Sequence, residues 1–351
     1  MNETVRVAFV GAGGHATGSL YPQLHRVPDL DLVAVCDLVR EKAEHNARWF
    51  GGREVYTDVE EMLANEELDG VYICGLPDMM DEVGLQALEA GLPIFVEKPS
   101  AIDVPKAREL AQAADDRGLW GMVAFMKRFA PAYVTARDIV GAADFNGLQM
   151  LEVAFTQGPY PQWSGIEDTM LAMLTGQSCH IFDLVRFFGG DVEWVQVTKR
   201  WLDADRMGLF VSCQFTSGAI GVMNLNTLEG WEDDPWQDIR ERLHCVGIGE
   251  SVTVDEMLYV THHRPGQPWC GIENKPFGHA LGRLQPNWGA FVADDLCGYR
   301  GEIAYFAQCL REGRPPEQGA DLWDGAKSLE LTEAICESAT SDGARVAVPV
   351  R

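Results

Sequence analysis

Basic residues are scarce in this chain: 28 Lys and Arg stand against 53 Asp and Glu, a formal net charge of −25 over 351 residues. They form no stripe or cluster, so nothing in the sequence is suited to a phosphate backbone or an anionic lipid surface, and neither nucleic acid nor membrane is expected as a partner. No stretch approaches the ~18 consecutive apolar residues of a membrane span. A Cys-x-x-Cys pair is missing as well. The nine cysteines are odd in number and scattered from Cys36 to Cys336, which argues for reduced thiols and against a disulfide framework or a zinc site. No other set of residues has metal-ligand spacing, so no metal is expected. Internal repeats, low-complexity linkers and a basic-then-apolar leader are also lacking: the chain reads as strand from Thr4 onward, and a cytoplasmic location is expected.

What is present suits a globular chain of about two domains, with 46% hydrophobic residues to build the cores. Apolar runs recur at VRVAFV (5–10), LDLVAVCD (30–37), DGVYICGL (69–76) and LPIFVE (92–97). Runs apolar at nearly every position suit strands buried on both faces of a parallel sheet. Between them lie helical spacings, Ala43, Ala47 and Phe50 closed by Gly51, and Val83, Ala87 and Ala90 closed by Gly91. The alternation predicts an α/β fold whose N-terminal part is a doubly wound parallel sheet of Rossmann type. After about Ala124 it lapses. LQMLEVAFTQ, VEWVQVTKRW and LFVSCQFTSGAIGVMNLNT then read as strands of an open, mainly antiparallel sheet, the last as a hairpin around Thr216 to Gly218. The expected division is 1–125 for an NAD(P)-binding domain and 126–351 for a substrate-binding and oligomerisation α/β domain.

The turn after the first strand, GAGGHA, has the G-x-G-x-x-A form of a dinucleotide-binding fingerprint. Gly11 permits the tight turn, Gly13 lets backbone amides approach a pyrophosphate, and Ala16 lets the next helix pack closely with its N-terminus toward the phosphates. Gly14 and His15 complete the loop and are assigned to the cofactor with it. Asp37 follows at the end of the second strand, where a carboxylate can accept both ribose hydroxyls. That acid favours NAD, while Arg40, three residues on, keeps NADP open. Pro77, in the GLPDMMD turn, and Glu97 lie at later strand ends on the same rim and join the cofactor set. Lys98 emerges there too, aimed by Pro99, and the Lys98–Pro99 bond is a candidate for the cis form.

GAGGHA, Asp37, the Glu97-Lys98-Pro99 triplet, MKRFAPAY (126–133), CHIFDLVRFFGG (179–190) and the tail GEIAYFAQCLREGRPP (301–316) together resemble the glucose-fructose oxidoreductase, inositol dehydrogenase and rhizopine catabolism (Gfo/Idh/MocA) family. The resemblance implies an N-terminal Rossmann domain, and a second domain whose open sheet carries the substrate side and the contacts of a homodimer or homotetramer. It also implies that His180 is the acid/base group and that Lys98 faces the reacting oxygen. Oxidising a secondary alcohol removes a proton from oxygen as hydride leaves carbon, which suits a histidine for the proton and a cation for the alkoxide charge.

His180, Asp183, Leu184 and Phe187 fall on one helical face, with Gln177 one turn earlier. Taken alone, such a histidine is more readily a core residue; the resemblance reverses that. Many family members carry an aspartate four residues before the histidine, where this chain has Gly176, which puts inositol as a substrate in doubt. Another departure is Asp81, where the family often has histidine. Gln177 is a substrate candidate, and Asp183 either orients substrate or braces the site. Arg128, beside Lys127, serves either substrate or a structural ion pair. Tyr160 and Trp163 suit either a sugar face or a subunit contact, and His262, His263 and Trp269 are weaker pocket candidates. The expected activity is NAD(P)-dependent hydride transfer from a hydroxyl of a sugar, cyclitol or sugar derivative. Redox-assisted glycoside cleavage with recycled NAD and a non-catalytic cofactor-sensing regulator are the alternatives.

Overall fold

Apart from Arg6, every residue of strand β1 (Val5–Val10) is buried, as a near-continuous apolar run requires of a strand covered on both faces. The computed structural model describes residues 4–159, 165–229, 239–265, 279–284 and 296–349. With β1 in its interior, a seven-stranded sheet is formed by β2 (Leu30–Cys36), β3 (Glu54–Tyr56), β4 (Gly70–Ile73), β5 (Ile94–Val96), β6 (Gly121–Val123) and the two-residue strand Ala320–Asp321. Its order is Ala320–Asp321, β6, β5, β4, β1, β2, β3. All pairings are parallel except that of Ala320–Asp321 with β6. The strand order reverses between β1 and β4, where a doubly wound sheet opens its ligand crevice.

The expected helices form, with one adjustment. Helix Arg40–Phe50 buries Ala43 and Ala47 and stops at Gly51, whose φ of +88° a side chain rarely adopts. Helix Pro77–Glu89 buries Val83 and Ala87 and adds Met80 and Leu88 to that face. Ala90 lies at its C-cap and is exposed, because the periodic pattern runs one residue past the end of the helix.

The chain divides into two compact units, Met1–Phe129 with Cys297–Leu329, and Ala130–Leu296 with Glu330–Arg351. Lapse of the alternation places one cut near residue 125 and gives no hint that residues 297–329 return to the first unit. Helix Tyr299–Glu312 belongs there because Phe306 packs 5.0 Å from the Tyr72 ring and 5.7 Å from Phe95, and Tyr72 donates its hydroxyl proton to the Ile303 carbonyl at 3.0 Å. These partners are more than two hundred residues apart in sequence, beyond the reach of any local pattern.

The second unit is built on nine described strands. They are β7 (Met150–Thr156), β8 (Val192–Trp201), β9 (Met207–Phe215), β10 (Ile220–Asn226), β11 (Arg240–Val246), β12 (Ser251–Asp255), β13 (Tyr259–Pro265), β14 (His279–Leu284) and the short Val346–Ala347. The order is β14, β13, β12, β11, β7, β10, β9, β8, Val346–Ala347, antiparallel except for β7 with β10. The hairpin stands where its turn residues place it: β9 and β10 pair across Gly218, at φ +88°. One face of this sheet is buried and one is not, so burial alternates along β9, with Leu209 and Val211 inside and Phe210 56% exposed. Helices Pro131–Gly141 and Cys179–Gly189 contribute Tyr133, Phe182 and Val185 to the core beneath the buried face.

Phe306 is fully buried among aromatic neighbours. Phe306→Ala is therefore expected to cost about 3–5 kcal/mol, read as a lowered midpoint in urea unfolding, whereas Phe210→Ala on the open sheet face should shift it little.

Candidate functional site

The glycine turn is shaped by three constraints of the first unit. Gly11 has φ +102°, and a Cβ there would lie 1.9 Å from the Cys74 carbonyl oxygen at the end of β4, so no other residue fits. The Gly11 N–H donates to Cys36 C=O at 2.7 Å, and its own carbonyl accepts the buried Tyr21 hydroxyl at 3.0 Å. Asp37 closes the arrangement: its carboxylate accepts the Ala12 N–H at 2.7 Å and the Val39 N–H at 2.8 Å. Ala16 is fully buried at the start of a π-type turn, Ala16–Leu20, that leads into helix Tyr21–Leu24. Gly13 and Gly14, by contrast, have no atom within 4 Å of where a Cβ would stand. That open space over two glycines is what a pyrophosphate cradle needs, and the residues present fit a dinucleotide.

Around this turn lie the other strand ends. Pro77 is buried in the first turn of its helix, after the 59% exposed Leu76. The Glu97 N–H donates to Ile73 C=O at 2.9 Å, which continues the β4–β5 ladder. The Glu97 side chain is buried and both its oxygens are engaged. Oε1 lies 3.1 Å from His15 Nε2, and Oε2 accepts the Lys98 N–H at 2.9 Å. Burial alone pushes this carboxyl up, but His15 and Lys98 more than offset it and hold it below the usual carboxylate range. Lys98 itself is half-buried, and the Lys98–Pro99 bond is cis.

Sequence reasoning missed Glu302, in the first turn of helix Tyr299–Glu312. It is fully buried, and burial, with Glu97 adding to it and Lys98 opposing it, pushes its carboxyl well above the usual range. A signal was there: residues 299, 302, 303 and 306 share a helical face that is otherwise aromatic or aliphatic, and an acid in such a stripe calls for an explanation.

The second unit gathers the other candidates on helix Cys179–Gly189, where His180, Asp183 and Leu184 are buried and Phe187 partly so, as the spacing requires. A π-type turn, Leu174–Ser178, precedes it and carries buried Gly176 and half-buried Gln177.

Several candidates have structural partners. Arg128, nearly buried, pairs with Asp324 at 3.0 Å, and its carbonyl accepts from Gln318. Asp81 is buried and pairs with Lys106 at 2.9 Å, so it is more than a helix-start acid. His262, on β13, pairs at 2.9 Å with Glu250, which immediately precedes β12, and His263 is exposed. Arg40 lies along its own helix, 3.9 Å from Glu44. Tyr160, Trp163 and Trp269 lie outside the described residues. Eight cysteines are described as free thiols. Burial pushes Cys36 up to about 11, and Cys213 and Cys336 to about 12, which suits inert packing groups.

Residues 5–125, the stretch with the glycine turn, Asp37 and Lys98, match the Gfo/Idh/MocA oxidoreductase family, NAD-binding Rossmann fold. That stretch carries the family's NAD-binding Rossmann fold. It is similar to the inositol 2-dehydrogenase of Arthrobacter sp. (strain FB24), 28% identical with 99% of this chain and 97% of that relative covered. It is also similar to the scyllo-inositol 2-dehydrogenase (NAD(+)) of Bacillus subtilis (strain 168), 28% identical over 90% of this chain and 89% of the other. Among solved structures, a dehydrogenase from Chromobacterium violaceum superposes with a TM-score of 0.84 at 26% identity, covering 97% of each chain. The α/β fold, with its parallel sheet and its mostly antiparallel sheet, is thus one that a solved structure shares.

Gly11→Ala places a methyl against the Cys74 carbonyl at a positive φ. The backbone strain alone is about 1–3 kcal/mol, so the variant should unfold at lower urea and lose NAD affinity, measured by fluorescence titration. Gly14→Ala, with open space around it, should keep the wild-type unfolding midpoint.

Proposed function

We propose that the protein is an NAD-dependent dehydrogenase acting on a secondary hydroxyl of a sugar, cyclitol or sugar derivative. The observation that carries this reading is the convergence, on the carboxyl edge of one sheet, of the glycine turn, Asp37 and the Glu97-anchored Lys98. The inositol 2-dehydrogenase relatives support the substrate class. Gly176, where many family members have aspartate, argues for a substrate other than inositol itself.

NAD, when bound, supplies the hydride acceptor. Asp37 is assigned to the adenosine ribose; its negative charge disfavours a 2'-phosphate, and Arg40, turned toward Glu44, is not aimed at one. Gly13 and Gly14 leave room for the pyrophosphate. Lys98, on the first unit, is assigned to hold the substrate oxygen by a charge-assisted hydrogen bond that strengthens as alkoxide charge develops. His180, on the second unit, is assigned to take the hydroxyl proton, since imidazole is the side chain that exchanges protons near neutral pH. Gln177 and Asp183 flank His180 and are assigned to orient the substrate. Arg128, already held by Asp324, supports the site from its ion pair. The open face of the second sheet exposes Met150, its register partner Ile220, and Phe210, an apolar surface that supports assembly of a homo-oligomer. Among the described residues no helix is long and apolar enough to cross a membrane.

The test is absorbance at 340 nm, the NADH band, with NAD across free sugars, inositols, anhydrosugars and glycosides. A rise with one compound is expected, and silence across the panel with NAD binding intact would overturn the proposal. Lys98→Ala and His180→Ala should each lower kcat by roughly 10² or more while NAD affinity stays within a fewfold. Near-normal turnover in either variant removes that residue's role.

A further inference from the structure

The helix Tyr299–Glu312 presents four residues to the seven-stranded sheet and its glycine turn. Phe306 and Ile303 pack on Tyr72 and Phe95, and Tyr299 stands 5.6 Å, edge-on, from the His15 ring. Between them is Glu302, fully buried, with neither carboxyl oxygen hydrogen-bonded among the described residues. Four titratable groups act on it: Glu97 and Lys98, which follow β5, and Tyr72 and Cys74, in β4 and just after it. His15, in the glycine turn, reaches Glu97, Tyr299 of the same helix lies against His15, and Cys309, further along that helix, acts on Tyr72.

Two buried carboxyls therefore share one lysine, and their surroundings differ. Glu97 accepts a backbone N–H and meets an imidazole; among the described residues Glu302 meets no hydrogen-bond donor. Neighbouring acids so placed divide their protons unequally, one remaining an anion and the other an acid. A second anion would also bind the Lys98 ammonium more tightly to the protein and draw it away from a substrate oxygen.

We propose that Glu302 is a positioning residue for Lys98: it closes the buried end of the Glu97–Lys98 site as a neutral carboxylic acid and leaves a single buried anion, Glu97, beside the ammonium. The proposal rests on the role assigned to Lys98 above. On this reading the alkaline limb of activity contains the ionisation of Glu302. The same proton links to stability. A folded-state value raised above the usual 4.5 gives a contribution that is complete below that value and is lost as pH rises through the folded value.

Glu302→Gln keeps the shape of the acid and removes the titration. Urea unfolding of both proteins over roughly pH 5 to 9 should show the wild type losing stability relative to the variant as pH rises. Infrared difference spectra should show the carbonyl stretch of a protonated carboxyl in the wild type at neutral pH and none in the variant. The alkaline limb of kcat/KM should move up by about one pH unit or more. Superimposable pH profiles with a constant stability difference would reduce Glu302 to packing and overturn the proposal. So would a collapse of kcat across all pH in a stably folded variant, since that would mean the ionised form is required. Should Glu302→Gln fold poorly, Glu302→Met, neutral and of similar volume, is expected to fold with the same upward shift, and failure of both at neutral pH overturns the proposal. Lys98→Ala separates the two readings: its full activity would end the role of Lys98, while the infrared band and the stability trend report on the Glu302 proton independently of turnover.

Discussion

Glu97 is a buried anion, and the carboxyl edge of the first unit is organised around satisfying it. A carboxylate removed from water must find donors, and those it finds are the His15 imidazole and the backbone N–H of Lys98. The first ties the end of β5 to the glycine turn, the second fixes the backbone from which the lysine leaves. The turn is pinned in its own right by the contact of Gly11 with the Cys74 carbonyl and by the two amides that converge on Asp37. The glycine turn and the Lys98 backbone are thereby parts of one hydrogen-bonded frame, as the role proposed for Lys98 requires.

The second unit meets a different constraint. Its sheet is wet on one side, so the core is supplied by alternate residues and by helices laid on the buried face. Helix Cys179–Gly189 buries His180 and Asp183 in the same face as Leu184. Polar groups on an apolar helical face reduce the apolar area removed from water, and such placement is understandable where function needs them. The helix after the glycine turn and the helix that carries His180 are each entered through a π-type turn, Ala16–Leu20 and Leu174–Ser178. The widened turn adds a residue and breaks the regular ladder, a feature that recurs near functional sites.

Long-range partners explain what the sequence left open. The choice between ion pair and substrate contact at Arg128 turns on Asp324, and Asp81, where the family often has histidine, finds its partner in Lys106 on the neighbouring helix. Neither partner is within reach of local spacing. Glu302 was readable as an acid in an apolar stripe, but its meaning depends on Glu97 and Lys98, two hundred residues earlier.

The sequence by itself determined the parallel α/β order of the first unit, the glycine turn with its acid, the antiparallel character of the second sheet and the helical face of His180. Each of these is written in the period or spacing of neighbouring residues, which short-range sterics and burial decide. Only the tertiary structure decided that helix Tyr299–Glu312 returns to the first sheet, that Glu97 bridges His15 and Lys98, and that Glu302 is sealed behind them. Those outcomes depend on which distant surfaces pack together and exclude water, and so on contacts between parts of the chain that carry no mark of one another.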